Sequence, residues 1–156
     1  VKDREIRKYL LEHTRHTPRD IIQLLNEIQK HSKDNPSKAN IANAVRTYST
    51  DYFVGEVRDE LDGFLKSEEI DLMIEIISLI GRSRFNMDHI DRIKNTDLRF
   101  KSVDVNKCLK AFFNCNAIGN VDGSYITFKY RNRHTTFNPN SDILVHVGLR
   151  KGWNLT

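Results

Sequence analysis

The spacing of apolar residues changes once along this chain, near Asp122-Gly123, and that change limits what it can fold into. Before it, apolar side chains recur at intervals of three and four, the mark of amphipathic helices. After it, Tyr125, Thr127 and Lys129 alternate with Ile126, Phe128 and Tyr130, the two-residue period of a strand. Asp-Gly is itself a strong hairpin signal, because a tight hairpin turn wants left-handed backbone there. A second turn at Asn138-Pro139-Asn140-Ser141 precedes the branched run Ile143-Leu144-Val145-His146-Val147, which reads as another short strand. The expected fold is mainly α: a helical bundle followed by a winged helix-turn-helix with a small antiparallel β-hairpin.

Start and stop signals divide the helical part. Residues 3–13 read as a helix with Ile6, Tyr9 and Leu10 inward. Thr17 is a natural N-cap and Pro18 suits the first helical position. Ile21, Ile22, Leu24, Leu25 and Ile28 then form a broad apolar stripe, and Asn35-Pro36 breaks it. Ser37 caps the next helix, whose pattern of threes and fours runs through Ile41, Ala44, Val45, Tyr48, Tyr52 and Phe53 and on through Val57, Leu61, Phe64 and Leu65, with Gly55 and Gly63 as expected bends or interruptions. Residues 1–66 are expected to form one bundle and 67–156 the winged-helix unit. In the second unit Ser67-Glu68-Glu69 opens a helix with Ile70, Met73, Ile74, Ile77 and Ile80 inward, ended by Gly81. A shorter helix covers Met87–Asn95, and Ser102 or Asp104 caps a third with Val105, Cys108, Leu109 and Phe112 buried. Trp153, flanked by Leu149 and Leu155, is expected to anchor the tail in the core.

Composition narrows function mainly by exclusion. Apolar residues make up 38% and charged residues 29%, a globular balance. No run approaches the roughly 18 consecutive apolar residues of a membrane helix. The charged start Val1-Lys2-Asp3-Arg4 lacks the apolar region of a signal peptide, so a cytoplasmic setting is expected. A first residue other than Met fits a processed start or a piece of a longer protein. Cys108 and Cys115 stand seven apart, about 10 Å along a helix, too far for a disulfide and not a zinc spacing. The six histidines never fall into H-x-x-x-H spacing, and no metal site is expected. Phosphate-cradling G-x-x-x-x-G-K-[ST], dinucleotide G-x-G-x-x-G and hydrolase G-x-S-x-G motifs are all missing. A non-catalytic chain without its own cofactor follows.

Charge is more informative by position than in total. The net charge is +4, yet residues 92–133 alone carry nine basic and three acidic side chains, a local +6. Such a stretch suits an anionic partner, double-stranded DNA or an acidic protein face. The third helix of the winged unit would show Asn106, Lys107, Lys110 and Asn114 outward, and the wing would add Lys129, Arg131 and Arg133. Lysine and arginine grip phosphate, and asparagine can read adenine edges. A solvated charged face used for protein contact explains the same residues.

The segment Thr14–Asn26 is the most distinctive. Arg19 sits in the first turn of its helix, where a cation opposes the helix dipole. It either pairs with an acid of the bundle or reaches outward to a phosphate held by another domain. Pro18-Arg19-Asp20, then Ala44 with Tyr48-Ser49 and Asp59-Glu60, resemble the region after the nucleotide-binding core of certain bacterial P-loop ATPases. These are AAA-related or STAND-type proteins, many tied to conflict and anti-phage systems. The ending Phe128-Lys129-Tyr130-Arg131, Val145-His146, Gly148-Leu149 and Leu155 is similar to their terminal segment. The resemblance implies a lid-like bundle, Arg19 as a nucleotide-sensing residue, and ATP with Mg²⁺ bound by an ATPase domain upstream in the full-length protein. A stand-alone winged-helix DNA-binding regulator is the alternative, and a Walker motif in the upstream coding sequence would decide between them.

Overall fold

The computed structural model describes residues 3–32 and 34–156, and the capping chemistry explains most helix boundaries within them. After α1 (Asp3–Glu12), the Thr17 hydroxyl accepts the N–H of Asp20 at 3.2 Å, and Pro18 takes the first position of α2 (Pro18–His31). Ser37 and Asn40 form a capping box at the start of α3 (Lys38–Thr47). α3 then passes without a break through a π-helical stretch, Tyr48–Phe53, into α4 (Val54–Asp62). Of the two expected interruptions, Gly63 ends α4 as its C-cap, whereas Gly55 is an ordinary residue of α4 and the irregularity lies just before it. Apolar spacing gives the reason. Val45, Tyr48, Phe53, Val57 and Leu61 are all buried, and the step from Tyr48 to Phe53 is five residues rather than three or four. One wide turn holds all five on one face.

α5 (Ser67–Ile80) buries Ile70, Met73, Ile76 and Ile77 and ends at Gly81, whose φ of 70° is left-handed. Ile76 replaces the expected Ile74 and Ile80, which are only half-buried. α6 (Met87–Lys94) and α7 (Leu98–Lys101) lead to α8 (Val105–Asn114), capped by Asp104, whose carboxylate accepts the Lys107 N–H at 3.0 Å. Val105, Cys108, Leu109 and Phe112 are buried as the spacing predicts.

The strands β1 (Arg84–Phe85), β2 (Ile118–Asp122), β3 (Tyr125–Thr127) and β4 (Asp142–Val145) form one antiparallel sheet in the order β1-β4-β2-β3. β2 and β3 are the hairpin expected at Asp122-Gly123, with Asp122 opposite Tyr125 and Gly123 at φ 61°. β4 lies centrally, pairing Ile118 with Val145 on one side and Phe85 with Ile143 on the other. The two-residue strand β1 has no alternation long enough to signal it. The alternating run 125–130 yields a strand only as far as Thr127. Beyond it the side chain of Asn116 accepts the N–H of Tyr130 at 2.7 Å, and Arg131 N–H turns back to Phe128 C=O at 3.1 Å. These bonds replace the ladder, so Lys129, Arg131 and Arg133 sit on a turn rather than on a strand.

The fold is thus mainly α with a small antiparallel sheet. One buried cluster runs from Leu24 through Tyr48, Phe53, Ile77 and Phe112 to Trp153, continuous across Lys66. Trp153 packs 5.8 Å from the Phe112 ring centroid, and Leu149 is buried beside it in the same cluster. The short 3₁₀ turn Val147–Leu149 meets the π-helical stretch directly, with Ser49 Oγ donating to Gly148 C=O. A Cβ at Gly148 would fall 2.6 Å from His13 C=O and into the Phe53 ring, so only glycine fits that approach.

Candidate functional site

A cleft of about 580 Å³ opens where the α1–α2 turn faces the loop after β3. One wall is Arg15, His16 and Thr17; the other is Asn116 with Lys129, Tyr130, Arg131 and Arg133. The first wall is shaped by local polar contacts. Thr14 Oγ1 donates to Leu11 C=O at 2.9 Å and accepts the His16 N–H at 3.2 Å, leaving His16 at φ 60°. Asn116 is also left-handed, at φ 59°. Histidine and asparagine tolerate this region better than most side chains, and such backbone often marks functional surfaces.

Two classes of cation meet here. Arg15 is 6% exposed and fully engaged: its Nε and Nη2 donate to the Asp20 carboxylate at 3.0 Å each, Nη1 pairs with Glu60, and its guanidinium lies 5.3 Å from the Phe53 centroid. Burial alone would push the Asp20 carboxyl up, but the hydrogen bonds and charge of Arg15 outweigh it and hold it below the usual carboxylate range. Lys129, Arg131 and Arg133 have no carboxylate within salt-bridge distance among the described residues. Lys129 Nζ donates to Thr135 C=O at 2.6 Å, and the Arg131 guanidinium lies 5.9 Å from the Tyr130 ring. Arg131 and Arg133 are exposed.

Aromatic rings line up behind these charges. His16 stacks on Tyr130 at 4.8 Å with 24° between planes, and Tyr130 stacks on Phe128 at 5.6 Å with 15°. His146 meets Phe128 and Phe53 edge-on and is buried. Burial, reinforced by the charges of His13 and Arg15, lowers its pKa to about 3, so it stays neutral and accepts the Gly148 N–H at 3.1 Å.

The remaining expected site residues lie outside the cleft lining. Arg19 is 70% exposed and donates to Glu56 Oε1 at 3.0 Å. Asn106, Lys107, Lys110 and Asn114 are all exposed on α8, and Lys107 is held by Glu69 at 2.8 Å. Arg15 and His16 fall in the distinctive segment 14–26, but the sequence pointed to Arg19 there and weighed His16 only as half of a metal pair with His13. Burial pushes the Cys108 thiol up to about 11 and Cys115 up to about 12, so neither supplies a thiolate near neutral pH. Among the described residues no group of three or more His, Cys, Asp or Glu side chains could hold a metal, and no helix is long and apolar enough to cross a membrane.

No curated protein and no solved structure matches the chain. Residues 1–54 match the model of one family, a FunZ-associated C-terminal helical domain. That match takes in α1 to α3 and the π-helical stretch; the sheet and the basic loop lie beyond it. The first third of this chain is therefore similar to a helical domain found at the C-terminal end of other proteins.

Proposed function

We propose that the chain is a non-catalytic binding module that grips the phosphate backbone of nucleic acid in the basic cleft. The observation that carries this reading is the convergence of Lys129, Arg131 and Arg133 on one open cleft without carboxylate partners. Four arginines elsewhere on the described surface are paired, Arg19 with Glu56, Arg58 with Asp71, Arg84 with Asp142 and Arg99 with Glu75, whereas Arg46, Arg82 and Arg92 are exposed without such a pair among the described residues; what sets Arg131 and Arg133 apart is that they share one concavity with Lys129. Unpaired cations in a concavity attract an external anion because nothing internal competes for them.

The wider setting belongs to the same proposal. The order α5-β1-α6-α8-β2-β4, with β4 between β1 and β2, supports a winged-helix reading of residues 67–156, to which β3 adds an edge strand. α8 then stands in the recognition-helix position and offers Asn106, Lys110 and Asn114 as a second contact. The family match over residues 1–54 supports a C-terminal role in a larger protein, and the P-loop ATPase resemblance supplies the candidate parent, cytoplasmic and binding ATP with Mg²⁺. Arg19 could report nucleotide state there, since its surface pair with Glu56 is worth no more than about 1 kcal/mol and yields readily to a phosphate.

Anisotropy with a labelled oligonucleotide tests the reading. Three phosphate contacts give a slope of log K against log salt of about −2.7 on duplex or about −2.1 on single strands. Arg131→Gln with Arg133→Gln should remove about two-thirds of that slope. No binding by micromolar protein at about 50 mM salt, where the electrostatic attraction is strong, would overturn it. A protein partner is the second reading, favoured by one observation: Ile22, Leu25, Leu11 and Tyr9 are 56%, 50%, 38% and 38% exposed along α1 and α2.

A further inference from the structure

Resting on the reading of the cleft as a nucleic-acid site, we infer that it takes a single strand, with one nucleobase stacked on His16. A duplex is read by a protein element that enters its groove. Here the cations line a concavity, which receives a protruding group instead. Its volume of about 580 Å³ is that of a small-molecule site rather than of a groove-tracking face. An unpaired, splayed base is such a group, and single strands are held by aromatic platforms beside cationic side chains.

The platform is already assembled. Phe128, Tyr130 and His16 form a run of near-parallel rings in which Phe128 is buried, Tyr130 half-buried and His16 exposed. The run therefore ends at solvent on an imidazole whose outer face is the natural place for a further flat ring. Two contacts set the ring in place. Its left-handed backbone is fixed by the Thr14 hydroxyl, and the Tyr130 beneath it is fixed by Asn116 Oδ1. Arg131 and Arg133 line the same cleft as His16 and supply cations for the phosphates that flank the stacked base. Thr17 and Asn116 offer polar groups at the cleft edge but no pattern that would select one base, so the stacking is expected to tolerate sequence.

The test compares a short labelled single strand, the duplex of the same sequence, and adenosine monophosphate, each with inorganic tripolyphosphate as competitor. The single strand should bind at least about tenfold more tightly than the duplex or the free nucleotide. His16→Asn removes the platform while keeping a residue that accepts φ near 60°, and should cost single-strand affinity about tenfold, the order of one lost stacked base, with a smaller loss for the duplex. Tyr130→Leu should act in the same direction, and its thermal melt reports whether it is folded. Equal binding of strand and duplex, or indifference of single-strand affinity to His16→Asn, would overturn the inference while leaving the phosphate-binding reading intact. Adenosine monophosphate binding as tightly as the strand would make the ligand a free nucleotide and overturn it too. Failure of all three probes to bind overturns both.

Discussion

α2 and α5 are both helices of fourteen residues, and they are held in place by different forces. α5 buries Ile70, Met73, Ile76 and Ile77 completely. Each such side chain contributes about 1.5–3 kcal/mol relative to exposure, so α5 is fixed by apolar area. α2 buries only Leu24 and Asp20, and leaves Ile22 and Leu25 largely in solvent. Its position is fixed by direction rather than area: the Asp20 carboxylate takes both Arg15 nitrogens and the Tyr52 hydroxyl at 3.3 Å. A buried ion pair of this kind specifies geometry more than it adds stability. The contrast separates a scaffold half from a half whose outer faces stay available for contact.

Five changes probe that contrast. The largest effect should come from the scaffold: Phe112→Ala, in the layer between α5 and Trp153, should cost about 3–5 kcal/mol in urea unfolding. Asp20→Ala, which strands the Arg15 charge, should cost about 3 kcal/mol. Replacing Arg15 and Asp20 together by Met and Leu should restore most of that, and a double replacement as damaging as the single one would show that the pair stabilises rather than directs.

Acid separates the halves differently. The unfolded chain protonates His146 near 6.5, whereas the folded chain keeps it neutral to about 3. The unfolded state therefore binds more protons across that window, and stability should fall as pH drops from 6.5 towards 3. His146→Gln should flatten the decline, measured as Tm against pH. Asp20, held below the usual carboxylate range, keeps its full contribution only above its unfolded value near 3.8 and loses it as pH falls further, so its loss overlaps only the acid end of this window. The smallest effect belongs to the outer face of α2: Leu25→Ser should change stability by no more than about 0.5 kcal/mol while weakening any protein contact made there.

Much of the helical part was legible because caps and apolar periods act locally. Thr17-Pro18, Ser37, Gly81 and Asp104 all sit where the capping rules place them. The π-helical stretch was not legible: Tyr52, four residues after Tyr48, keeps the apolar spacing regular, and only its half-burial in the structure leaves a five-residue step between the buried Tyr48 and Phe53. Nor were β1 and the turn at 128–131, because both depend on partners distant in sequence, β4 and the side chain of Asn116. The cleft was half legible. Lys129, Arg131 and Arg133 stood out by charge, but the wall they face lies more than a hundred residues earlier, and nothing local to Arg15 or His16 announces that meeting. The separation of the α8 residues from the cleft lining has the same cause, since a net count over residues 92–133 carries no information about direction.

The wide turn at Tyr48–Phe53 also acts as an angular setting. One helical position is a rotation of about 100°, so a single extra residue in the turn rotates everything after it relative to a straight continuation of α3. Two unrelated sets of side chains depend on that rotation. Val57 and Leu61 are brought to the core, while Glu56 and Glu60 are brought to Arg15 and Arg19. Core and ion network are thus indexed to one another like two hands on the same shaft. A one-residue deletion inside the turn would let it close to an ordinary α-turn with both still in phase, whereas a one-residue insertion there, which the turn cannot absorb a second time, would put both out of phase together.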